Sequence, residues 1–108
     1  MNLPRILTEN PPEQITRFQA SSNYTFLLLH DGKRLISGYT LQFFETWIDT
    51  HAFIRIDRSN LVNRSYICGI SADGSILLKN KQILQIPRRR KALLQRQYPL
   101  LFETQTTL

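Results

Sequence analysis

Strand-like patterns of apolar and polar residues run along most of the chain, and they give way to a helical period only twice. Residues 15–19 (ITRFQ) alternate as a half-buried strand does. Residues 24–30 (YTFLLLH) are aromatic and apolar on both faces, which suits a central strand covered on two sides. That run ends on Asp31-Gly32, a hairpin signal because glycine accepts positive φ, and residues 33–37 (KRLIS) return as its partner. Residues 53–56 (FIRI) resume the alternation, and 61–63 (LVN) read as a short strand or turn. Residues 66–71 (YICGIS), 75–79 (SILLK) and 82–86 (QILQI) follow. Turn chemistry at Ala72-Asp73-Gly74 and Asn80-Lys81 joins them into an antiparallel meander.

The two changes of period predict helices. In 40–50 (TLQFFETWIDT), Leu41, Phe44, Trp47 and Ile48 recur at helical spacing, with Thr40 as N-cap. That spacing makes Trp47 a core anchor rather than a platform on which a base stacks. Pro87 stops the meander, and 88–97 (RRRKALLQRQ) is rich in helix formers. Leu93 and Leu94 would dock on a sheet there while the arginines face outward. Residues 1–14 carry Pro4, Pro11 and Pro12 and read as an arm or linker, with at most a short edge strand near Arg5 to Leu7. The expected layout is arm 1–14, one domain over 15–98, and a partly loose tail over 99–108.

Composition narrows the class. A chain of 108 residues with 42% apolar and 20% charged residues is an ordinary single globular domain. One cysteine, Cys68, excludes a disulfide framework within the chain and any cysteine-rich zinc site. Beside Gly69 in an apolar strand, its thiol is expected to be buried and inert. The longest apolar run, Phe26 to Leu29, is far short of the roughly 18 residues of a spanning helix. The N-terminus lacks the apolar core of a signal peptide, so the cytoplasm is the expected compartment.

Charge changes the picture more. The net charge is +6, and its distribution is uneven. Residues 1–54 hold four cations against five acids, whereas residues 55–108 hold ten against three. Seven of those ten are arginines, the side chain suited to phosphate forks and guanine edges. So basic a balance favours a polyanionic partner or a membrane surface.

No catalytic constellation accompanies the charge. His30 and His51 fit no triad or metal spacing, the glycines form no phosphate loop, and no serine sits in a nucleophile elbow. The expectation is a binding protein with no catalytic residue, no metal and no cofactor. Three segments are candidates for its surface. Ala20 to Tyr24 is a polar loop before the central strand. In Arg55 to Asn60 two arginines straddle an acid; the bland alternative is a loop in which Asp57 holds an arginine. Arg88, Arg89, Arg90 and Lys91 place four cations at a helix start, against the macrodipole, which prefers anions there.

These segments resemble a family. FIRIDRSNLVNRSYI at 53–67 is similar to the F-x-R-I-H-R-S-x-L-V-N-x-x-Y-I pattern of the LytTR DNA-binding domain. ASSNYTFLLLHDGK resembles its A-x-x-N-Y-T…D-G-K opening, and KNKQILQIPRRRKALLQR its N-G-x-x-x-P-V-S-R-R closing segment. The resemblance covers roughly residues 13–98. It implies a mainly β fold: an elongated arrangement of short antiparallel strands in three small sheets, with one or two short helices. It also implies double-stranded DNA as partner, bound by loops that enter successive major grooves and bend the duplex. Carried over, the DNA-binding residues are Asn23, Tyr24, Arg58, Ser59, Arg88 and Arg89, with Arg90 and Lys91 adjacent. Asn63 matches the family asparagine and would serve the backbone of a turn.

Three positions depart from the pattern. Asp57 stands where histidine is frequent and brings a negative charge near the DNA face, where it would orient Arg55 or Arg58 or weaken binding. Pro87 replaces a frequent serine, and Asn60 a frequent apolar residue. Most members join the domain to a receiver or membrane sensor, and none fits in 14 residues. The sequence therefore reads as a stand-alone binder or as a piece of a longer chain. A second copy on an adjacent repeat site is compatible with this reading; a membrane or a small-molecule substrate is not part of it. The competing reading is a small basic β module that binds an acidic protein partner.

Overall fold

Eight strands form among the described residues, and they divide between two antiparallel sheets rather than the three that the resemblance implies. The structure is a computed structural model that describes residues 4–49 and 51–103. The chain separates into a unit over 1–64 and a unit over 65–108.

The first unit holds β1 (Ile15–Ser21), β2 (Tyr24–Leu29), β3 (Arg34–Ser37), β4 (Phe53–Arg55) and β5 (Asn60–Asn63), in the order β3-β2-β1-β5-β4. Phe18, Leu27, Phe53 and Leu61 share a buried cluster with Leu41, Phe44 and Ile48 from helix α2 (Leu41–Glu45) and the turn after it. The Phe18 ring lies 4.9 Å from Phe44 and 5.5 Å from Phe53. Burying each such side chain contributes about 1.5–3 kcal/mol. Thr40 caps α2 as expected, its hydroxyl accepting from Phe43 N–H at 3.1 Å. The helix is shorter than the apolar period, because Thr46 N–H turns back to Phe43 and Phe44 carbonyls and its hydroxyl donates to Phe43 O. Trp47 is half-buried against the core, as its spacing predicts.

The N-terminal segment differs from expectation. Residues 5–9 form helix α1 (Arg5–Glu9) instead of an edge strand, and its Leu7 is buried in the core. Pro4 supplies a fixed φ at the cap, and Arg5 pairs with Glu9 one turn on, a contact that a strand would forgo.

In the second unit, β6 (Ile67–Ile70), β7 (Ser75–Leu78) and β8 (Ile83–Gln85) form the expected meander, followed by α3 (Arg88–Gln97) and α4 (Pro99–Glu103). Ile70, Ile76, Leu78, Ile86, Leu94 and Phe102 are buried. Leu94 docks but Leu93 does not, since neighbours on a helix point about 100° apart. Part of the expected loose tail is thus helix α4. Residues 104–108 of that tail, Met1 to Leu3 of the arm, and Thr50 lie outside the described residues. Cys68 is exposed, not buried: the register slips between Ile67 and Gly69, and this bulge releases the thiol from the alternation. No helix among the described residues is long and apolar enough to cross a membrane.

Candidate nucleic-acid interface

Strand register gathers three loops at one end of the five-stranded sheet. Ser21 pairs with Tyr24, Gln19 with Asn60, Thr25 with Ser37, and Arg55 with Leu61. Loops 22–23, 38–40 and 56–59 therefore leave the sheet on the same side. The first is a two-residue hairpin turn with positive φ at Ser22 alone (+53°), the sign pattern of a type II′ turn. Ala20 N–H donates to Ser59 O at 2.8 Å, which extends the β1–β5 pairing by one step and sets loop 56–59 directly beside that turn. Asn23, Tyr24, Arg58 and Ser59 are thus brought to one rim. The first three are exposed and Ser59 is half-buried.

The loop that carries Arg58 is held from within. The Asp57 carboxylate accepts from Ser59 N–H at 2.8 Å and from the Asn60 amide at 3.2 Å. Asn60 Oδ1 accepts in turn from Nη1 of the buried Arg17 at 2.6 Å. Burial lowers the Arg17 pKa, and the charge of Asp57 opposes that shift. The carboxylate is engaged by the loop's own N–H groups and faces a buried cation. Arg55 meets the Asp57 residue through its carbonyl instead: Nε donates to Asp57 O at 2.7 Å and Nη2 to Arg58 O at 2.8 Å, while Nη1 pairs with Glu45 on α2. One arginine of the motif is an internal clamp. The other, Arg58, is exposed and its side chain has no hydrogen bond or ion pair among the described residues. Asn63 serves the backbone as expected, its amide donating to Ile15 O at 2.9 Å.

The second unit carries the remaining candidates. Residues 65–108 hold seven cations against two acids, a net +5. Arg88 and Arg89 are exposed in the first turn of α3, where no side chain caps the helix. Arg90 and Lys91 are half-buried. Lys91 Nζ donates to Ala72 O at 2.9 Å, so this cation anchors the helix start to the β6–β7 turn. The same turn is tied to the approach to α3 by Gln85, whose amide donates to Asp73 O at 2.9 Å, and by Ile86 N–H, which donates to Gly74 O at 2.9 Å. Asp73 accepts from the Ser71 hydroxyl and from Ser75, and these bonds hold its carboxyl below the usual range.

Gly74 is what lets the turn approach so closely. Its φ is +91°, and a Cβ there would lie 3.1 Å from the Gln85 amide, 3.2 Å from Ile86 O and 3.3 Å from Lys91 Cδ. Gly74→Ala is expected to cost about 1–3 kcal/mol in denaturant unfolding. Gly32→Ala, at a similar φ of +92° but with nothing within 4 Å, should cost less. Equal midpoints for the two variants would show that the turn does not brace α3.

Two internal roles were not legible in the chain. Arg17 gave no signal, since its partner Asn60 lies 43 residues away. Arg55 was visible as part of the motif, but not that it turns inward.

The family model described as LytTr DNA-binding domain matches residues 7–98. A solved LytTr DNA-binding domain from Bacillus cereus superposes with a TM-score of 0.70 at 20% identity, covering 78% of this chain and 80% of that one. No curated protein matches the chain. With the family pattern running through both sheets, the chain belongs to the LytTR family of DNA-binding domains.

Proposed function

We propose that this domain is a sequence-specific binder of double-stranded DNA, acting in transcription regulation in the cytoplasm. The observation that carries the reading is the rim of the first sheet: exposed Asn23, Tyr24 and Arg58 stand on adjacent loops, and the Arg58 loop is fixed by Asp57, Asn60 and Arg55. A rigid loop that ends in an uncommitted guanidinium is preorganised for a phosphate or a base edge. Arg58, with Ser59 beside it, and Arg88 to Lys91 hold the duplex rails, Arg88 and Arg89 by direct contact and Lys91 by anchoring the helix start. Asn23, Tyr24 and one arginine read base edges in the major groove. Contacts of this kind in successive grooves require a bent duplex. No catalytic step, cofactor or small-molecule substrate enters this reading.

Selection of bound duplexes from a random pool tests it directly. A defined motif is expected, and its repeat spacing reports whether two copies bind side by side. On the selected duplex, log affinity against log salt should fall with a slope of about −4 to −5, for four to six neutralised phosphates. Gel mobility should vary with the position of the site along a fragment, the signature of bending. No enriched motif, or a flat salt response, would refute the proposal and favour an acidic protein partner.

A further inference from the structure

The same rim holds a fourth exposed residue that the family pattern does not single out. Tyr39 follows the end of β3, and its carbonyl accepts from the Thr25 hydroxyl at 2.7 Å, so it sits beside the start of β2, next to Tyr24. The Tyr39 ring is stacked on Phe43 at 4.1 Å with 10° between planes, and meets the buried Phe44 edge-on at 6.0 Å. Its N–H donates to Ser37 Oγ at 3.1 Å. Backbone and ring are therefore fixed, yet the residue is 48% exposed and its phenol oxygen has no partner among the described residues. An exposed aromatic so firmly held presents one polar atom in one direction.

Position decides what that atom can meet. Strand alternation puts Tyr24 on the face opposite Thr25 and Leu27, whereas Tyr39 lies on the α2 side with Phe43 and Phe44. The two rings therefore stand on opposite faces of the sheet, at the end from which the Ser22-Asn23 turn projects. A turn inserted in a groove about 12 Å wide has a phosphate rail on each side. A phenol O–H is a donor that suits a phosphate oxygen and reads no base when it stands outside the groove floor.

We infer that Tyr39 is a DNA-contacting residue, its hydroxyl donating to a backbone phosphate on the wall of the groove that the Ser22-Asn23 turn enters. The inference rests on the DNA-binding reading above and adds to it a neutral, sequence-independent contact.

The test is Tyr39→Phe, which keeps the stacked ring and removes only the hydroxyl. An unchanged unfolding midpoint confirms that the fold is intact. On the duplex selected by the wild type, Kd should rise about three- to tenfold. It should rise by the same factor on unrelated duplex, and the salt slope should stay as it was, because no charge is lost. A scan that replaces single phosphates with neutral methylphosphonates should locate the contact: one position weakens the wild type and leaves Tyr39→Phe unaffected. Wild-type affinity in Tyr39→Phe, or equal losses for both proteins at every phosphate, would overturn the inference while leaving DNA binding in place. Failure of the wild type to bind any selected duplex would overturn both.

Discussion

Replacing Arg58 and Arg89 together with alanine is expected to lower affinity for the selected duplex by about two to four orders of magnitude. Each single change should cost about 1–3 kcal/mol if the guanidinium makes a bidentate contact. The two residues lie in different units, on the β4–β5 loop and in the first turn of α3, and share no hydrogen-bond partner, so their losses should add. Neither side chain supports the fold: both are exposed. The unfolding midpoint should therefore stay within the range of surface substitutions, about ±0.5 kcal/mol. The discriminating quantity is the salt slope. A lost phosphate contact reduces it by about one, whereas a lost base contact relaxes sequence preference at one position. Measuring both singles and the double against salt on matched and mismatched duplexes thus assigns each arginine a role. An unchanged isotherm for the double variant would place the interface elsewhere.

The strand pattern was legible because alternation is a local property. The meander over 66–86 and helix 88–97 stand where composition and turn chemistry put them. What escaped the chain was non-local or rested on a single register step. Cys68 sits in a run that reads as buried strand, and only the slip between Ile67 and Gly69 exposes it. Proline density around residues 5–9 suggested an arm, but Leu7 has a hydrophobic core to enter, and burial outweighs weak local preference in so short a helix. The candidate site divides in the same way. Arg58 and Arg89 were visible as motif residues. That Arg17 and Arg55 face inward depends on partners brought in by strand pairing and by α2, which no spacing rule encodes.

Arg55→Ala is expected to damage both stability and DNA binding, because one guanidinium joins three elements. It pairs with Glu45 on α2, and donates to the carbonyls of Asp57 and Arg58 in the loop. The side chains of Arg55 and Glu45 are 26% and 33% exposed, so solvent screens part of the attraction, and the fully buried figure for breaking an ion pair does not apply. Hydrogen bonds from a charged donor to two carbonyls add to it, giving an expected loss of about 2–4 kcal/mol. Arg55→Lys separates the contributions. An ammonium retains the charge opposite Glu45 but cannot present a planar fork to two carbonyls at once. Stability should therefore recover in part, while affinity for the selected duplex stays low, since the Arg58 backbone is no longer fixed. Glu45→Gln gives the converse: the fork remains on the loop, the ion pair is lost, and DNA affinity should remain near that of the wild type. If Arg55→Lys restored full affinity, the fork would have no part in presenting Arg58, and preorganisation of that loop would have to come from Asp57 and Asn60 alone.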